Sequence, residues 1–194
     1  MALVFALGNP GERYTRTRHN VGWWVADELR RRHRATPVEA SREYRAWRAT
    51  VEERELEIVL PLLFMNASGD ALAAWRERHG LEMDALLVVS DDVYLPVGHV
   101  RLRPNGSSGG HRGLESIEAV LGSREYARLR IGVGAVESEQ LREHVLETFE
   151  GDEERAMEDA VRTAADAVEL WAHDGILAAM NRFNRRATKE ASES

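Results

Sequence analysis

Ala2-Leu3-Val4-Phe5-Ala6-Leu7-Gly8-Asn9-Pro10-Gly11 decides how this chain is read. Residues 2–7 form a continuous apolar run with the length and side chains of a buried strand, and Gly-Asn-Pro-Gly is a turn through which neither strand nor helix continues. Past Tyr14, a polar segment rich in Thr and Arg delivers His19-Asn20 just before Val21, where apolar residues begin to recur at helical spacing. Open α/β sheets bind ligands beyond the carboxyl ends of their strands, because loops and helix N-termini converge there with unpaired N–H groups. Two readings fit this stretch. It founds one wall of an active site, or it is a tight turn followed by a partly buried, hydrogen-bonded His with Asn20 as a helix N-cap.

Beyond this turn, residues 21–29 place Val21, Trp24, Val25 and Leu29 on one helical face. Residues 44–51 and 54–60 read as a hairpin around Glu52-Glu53, and a helix from Ala67 to His79 closes at Gly80. Residues 85–89 are a second run of the kind covered on both faces, opening into Ser90-Asp91-Asp92. A short strand (99–103), a Gly- and Ser-rich loop (105–110), a helix (114–121) and a strand (129–133) follow. Helices are predicted over 138–148, 153–171 and 176–183, and residues 187–194 read as a disordered tail. With no internal repeat and no linker, residues 1–186 are expected to form one α/β domain. Its architecture is a three-layer sandwich with a central mixed, mostly parallel twisted sheet flanked by helices.

The 194 residues carry a net charge of −7, with 43% hydrophobic and 30% charged residues, the balance of a globular domain. No run approaches the length of a membrane span and no basic signal region opens the chain, so a cytoplasmic location is expected. The absence of Cys agrees, and it excludes a thiol nucleophile, a disulfide framework and a Cys-based metal site. Lys189 is the only Lys; Arg carries the positive charge and suits fork-like contacts to phosphate. Arg13, Arg16 and Arg18, and later Arg101, Arg103 and Arg112, fall among the polar loops and leave room for a local basic patch. Residues 106–110 fit Gly-x-Ser-x-Gly around Ser108, but the strand–turn–helix context of a nucleophile elbow is missing. No Walker A loop, complete dinucleotide fingerprint or His-Glu-x-x-His motif is present, so no cofactor and no metal are expected. The five Trp residues are assigned to packing.

The loops after the apolar strands offer Asn9 and His19, then Asn66, then Asp91, then His111 and Arg112. If those strands are neighbours, the set converges on one rim. A His paired with an Asp acts as general base on water, the carboxylate fixing the tautomer. Asn carboxamides donate to a developing oxyanion. The chemistry is hydrolysis of an activated acyl bond by water.

Leu7-Gly8-Asn9-Pro10-Gly11 with Tyr14, Arg18-His19-Asn20, Phe64-Met65-Asn66, Asp91 before Leu95-Pro96, Gly109-Gly110-His111 with Gly113-Leu114, and the segment from Leu129 to Gly134 together resemble the bacterial peptidyl-tRNA hydrolase family. The resemblance runs from Leu3 to about Phe183. It implies that His19 activates water against the ester joining a peptide to the tRNA 3′ ribose, that Asp91 supports His19, and that Asn9 distinguishes blocked from free aminoacyl ends. It sets Tyr14, Phe64 and Asn66 at the terminal nucleotide and acyl group, His111 and Arg112 at the substrate end, and Arg101, Arg103 and Arg130 against tRNA phosphates. The implied partner is the acceptor end of tRNA, bound by a monomer without a membrane or a protein partner.

The chain departs from the family at Arg112, which stands where Asn is usual, and an Arg cannot accept a hydrogen bond. Asp92-Val93-Tyr94 replaces a more acidic segment, and residues 104–108 a more Gly-rich loop. Arg112 keeps two other readings open: a non-catalytic RNA-binding member of the same fold, and a hydrolase specialised for an unusual aminoacyl-tRNA.

Overall fold

The computed structural model describes residues 1–136 and 138–184; the expected domain end at 186 and the tail at 187–194 lie outside the described residues. The elements run β1 (Ala2–Ala6), α1 (Val21–Arg32), β2 (Thr36–Ala40), β3 (Tyr44–Val51), β4 (Arg54–Pro61), α2 (Ser68–His79), β5 (Leu86–Asp92), β6 (Val100–Arg103), α3 (Arg112–Leu121), β7 (Ala127–Gly132), α4 (Leu141–His144), α5 (Asp152–Asp174) and α6 (Ile176–Phe183). The strands form one sheet in the order β2-β3-β4-β1-β5-β7-β6. β4, β1, β5 and β7 are mutually parallel, while β3 and β6 run against their neighbours. β2 is antiparallel to β3, so five of the seven strands point the same way and the expected mixed, mostly parallel sheet is present.

The apolar run of β1 is covered on both faces because alternate side chains enter different layers. Val4 and Ala6 pack with α1 and α5; Leu3, Phe5 and Leu7 pack with α2 and α3. Leu3, Val4, Phe5 and Leu7 each contribute about 1.5–3 kcal/mol when fully buried, and β1, at the sheet's centre, is the strand on which both layers close.

Gly22 sets the height of α1 over the sheet. A Cβ added there would lie 2.4 Å from the Leu7 carbonyl oxygen and 2.9 Å from that of Val89. The first turn of α1 therefore rests directly on the ends of β1 and β5, which brings His19 to the rim. The substitution G22A is expected to cost about 1–3 kcal/mol by overpacking against backbone that cannot swing aside. Urea denaturation reads it, and an unchanged midpoint would refute the close contact.

Three elements differ from the sequence reading. β2 is an edge strand with an exposed face, Pro37 and an irregular register between Pro37 and Glu39, so it lacks the apolar alternation that signals a strand. The helix expected over 138–148 is only a 3-10 turn (Ser138–Gln140) and α4. The carbonyls of Val145 and Glu147 accept instead from the backbone N–H groups of His19 and Arg18. β5 also continues two residues beyond Ser90, so Asp91 and Asp92 are buried strand residues rather than loop acids.

Candidate active site

Beyond the carboxyl ends of β1, β4, β5 and β7 opens a cleft of about 540 Å³. Asn9, Tyr14, His19, Phe64, Asn66, Asp91, His111, Arg112 and Arg130 all line it. Arg101 and Arg103 do not; they lie on β6, outside the cleft.

Asp91 is the centre of the arrangement. Its Oδ1 accepts from His19 Nδ1 and from His111 Nε2, each at 2.8 Å, and the two rings stand 5.0 Å apart. His111 Nδ1 accepts the N–H groups of Gly113 and Leu114, capping α3. Both of its nitrogens are thus engaged, with the proton on Nε2. A carboxylate can only accept, so the His19 proton sits on Nδ1 and the lone pair of Nε2 is the one available base in the pair. The three ligand atoms lie within 4.8 Å of one another, a spacing that suits a metal, but the nitrogens facing Asp91 are already committed to it by direct hydrogen bonds.

Burial disfavours the His19 imidazolium, yet the charge and hydrogen bond of Asp91 outweigh it and hold His19 above its ordinary value; the Arg112 guanidinium pulls the other way. For Asp91, burial works to raise the carboxyl, and the two imidazoles overcome it and hold the group well below the usual carboxylate range.

Backbone contacts seat His19. It lies in the 3-10 turn Arg18–Asn20, and its N–H donates to the Val145 carbonyl at 2.8 Å. Arg18 is buried, over the Phe149 ring, with its guanidinium donating to the Val133 carbonyl at 2.9 Å and to Glu153 at 2.6 Å. Arg16 pairs with Glu154. These two arginines complement the acidic first turn of α5 and supply no basic surface patch.

Asn20 is not a side-chain cap. Its carboxamide clasps Asn9 instead, Oδ1 accepting the Asn9 N–H at 2.9 Å and Nδ2 donating to the Asn9 carbonyl at 3.0 Å. Asn9 Oδ1 accepts the Met65 N–H at 2.8 Å. With that oxygen engaged, the Asn9 NH₂ is the end left to donate into the cleft.

Tyr14 and Phe64 meet edge to face at 6.2 Å on one rim, with Phe64 and Asn66 exposed. Arg112, also exposed, has no hydrogen-bond or ion-pair partner among the described residues. Arg101 lies directly across from Arg130, and Arg103 across from Arg128, so the four share one sheet face. Arg128 is paired with Glu118 and Arg130 with Asp92. Burial and the neighbouring Arg101 and Arg130 charges push Arg103 below its ordinary value, which marks a concentration of positive charge. Ser108 sits in the loop before α3, its hydroxyl 3.4 Å from the Gly110 N–H, without a nucleophile elbow. Sequence reasoning missed the wall formed by Leu141, Arg142, Val145 and Leu146, since their spacing signals only a helix. It also gave no role to Tyr94.

The family model described as peptidyl-tRNA hydrolase matches residues 3–192. The chain belongs to the peptidyl-tRNA hydrolase family. It is 42% identical over 184 residues to a peptidyl-tRNA hydrolase of Syntrophomonas wolfei, covering 95% of this chain and all of that one. It is 44% identical to that of Salinibacter ruber, covering 94% and 97%. The crystal structure of the peptidyl-tRNA hydrolase of Acinetobacter baumannii superposes with a TM-score of 0.89 at 30% identity, covering 95% of this chain and 94% of that one. A purine nucleoside phosphorylase of Toxoplasma gondii shares the fold alone, at a TM-score of 0.53 and 10% identity. Among the described residues no helix is long and apolar enough to cross a membrane.

Proposed function

We propose that this member of the peptidyl-tRNA hydrolase family cleaves the ester between a peptide and the tRNA 3′ ribose through water activated by His19. The observation that carries the mechanism is the pair of hydrogen bonds on Asp91, which leave one free imidazole nitrogen in the cleft. His19 Nε2 takes a proton from water as the water oxygen bonds to the ester carbonyl carbon. The oxyanion that develops faces the Asn9 NH₂ and the Arg112 guanidinium, donors fixed or charged before the reaction begins. Collapse of the tetrahedral species breaks the bond to the ribose 3′ oxygen, which takes the proton back from the imidazolium. The products are tRNA with a free 3′ hydroxyl and a peptide carboxylic acid, which loses its proton to solvent to become the carboxylate, with no covalent enzyme intermediate.

In this reading Asn9 senses whether the acyl nitrogen is blocked, while Tyr14, Phe64 and Asn66 hold the terminal nucleotide and acyl group. His111 secures Asp91 beside them, and Arg101, Arg103 and Arg130 hold tRNA phosphates, so affinity falls with salt. The enzyme acts as a monomer in the cytoplasm; the absence of Cys suits a reducing compartment. Side-by-side assays with N-acetylaminoacyl-tRNA and unblocked aminoacyl-tRNA test the proposal. Rapid release from the blocked substrate and slow release from the free one is the expected result. Binding of tRNA without ester cleavage would make the chain an RNA-binding member of the fold.

A further inference from the structure

Tyr94 is a large aromatic side chain that the protein leaves 66% exposed on the cleft wall. Its support is nonetheless fixed. The Tyr94 N–H donates to Asp92 Oδ1 at 2.8 Å, while Asp92 Oδ2 faces Arg130 Nε at 2.6 Å. One buried carboxylate therefore holds both the turn that carries the ring and a guanidinium. The ring edge lies against the backbone before His111: a Cβ added at Gly109 would sit 3.7 Å from Tyr94 Cε2.

The strand order places this ring. Phe64 and Tyr14 follow β4 and β1, on one side of β5, whereas Arg130, Arg101 and Arg103 belong to β7 and β6 on the other. Tyr94 follows β5, shares the cleft wall with His19, Asp91 and Arg130, and is linked to Arg130 through Asp92. A tRNA with its terminal ester at His19 and its phosphates on those arginines brings the unpaired nucleotides of its 3′ end along this wall. Such nucleotides present open base faces, and an aromatic ring beside a guanidinium is the chemistry that receives them.

We propose that Tyr94 stacks on a base of the unpaired 3′ strand just inward of the terminal nucleotide, and so selects for a substrate that carries that strand. The proposal rests on the peptidyl-tRNA reading given above. The test measures kcat and KM for wild type, Y94A and Y94F on N-acetylaminoacyl-tRNA and on the N-acetylaminoacyl ester of adenosine alone. Y94A is expected to raise KM for the tRNA substrate relative to the adenosine ester by about 5- to 150-fold, the worth of one base–aromatic stack. Y94F keeps the wild-type ratio. An unchanged ratio in Y94A, an equal rise on both substrates, a loss confined to kcat, or a Y94F as impaired as Y94A would each overturn the stacking role. Failure of wild type to cleave N-acetylaminoacyl-tRNA would instead remove the hydrolase reading, whatever Tyr94 does.

Discussion

Replacing His19 by alanine lowers kcat on N-acetylaminoacyl-tRNA by about 10²- to 10⁴-fold, the contribution of a positioned general base. The fold is expected to survive, because the residue is held by its backbone N–H on Val145 and Asp91 keeps its second hydrogen bond, from His111. Affinity for tRNA stays within about twofold, since phosphate contacts dominate it and the arginines on β6 and β7 are untouched. Single-turnover hydrolysis and a binding isotherm on the same preparation separate the two effects. His111 cannot substitute as base, because one of its nitrogens donates to Asp91 and the other caps α3. A loss smaller than about tenfold would therefore remove His19 from the role.

Asp91→Asn is expected to lower kcat by about 10- to 100-fold, less than removal of the base itself, and to move the pH profile. His19 must be neutral to accept a proton, so wild-type kcat/KM rises as pH climbs through a value that Asp91 holds above the ordinary imidazole one. Without the carboxylate charge, the acid limb shifts to lower pH. Stability carries the matching signature. The raised His19 value gives stability that is complete below the unfolded imidazole pKa and is lost as pH rises through the folded one. The depressed Asp91 value gives stability that is complete above the unfolded carboxyl pKa and is lost as pH falls through the folded one. The advantage of wild type over the variant is thus greatest at mildly acidic pH, where the carboxylate is ionised and His19 is charged. Denaturation midpoints across that range check this, and an acid limb that stays in place would show that Asp91 does not govern the base.

The sheet was readable where one residue pattern settles one element. β1 and the Gly-Asn-Pro-Gly turn announce themselves because a buried parallel strand must be apolar on both faces and must then stop. β2 did not, since an exposed edge strand with a proline needs no apolar alternation and its partner β3 holds it through the backbone. The rim of candidate residues was legible as a list of loop side chains, and the resemblance gave them roles. What the list could not contain is which partner each one has. Asp91 reads as a loop acid, yet it is buried and shared between imidazoles that are 72 residues before it and 20 after it. Asn20 reads as a helix cap, yet it clasps Asn9. Residues 138–148 have helical spacing, but local propensity says nothing of backbone carbonyls diverted to Arg18 and His19.

The diverted carbonyls have a consequence for the order in which the protein becomes competent. Every candidate catalytic and tRNA-facing side chain lies at or before Arg130, yet the groups that seat His19 and its neighbour Arg18 belong to Val133, Val145, Glu147 and Glu153. A nascent chain that has reached Gly132 owns all the chemistry and none of this support. The turn that carries His19 therefore gains these backbone and side-chain supports only once residues 133–153 exist to pack against it.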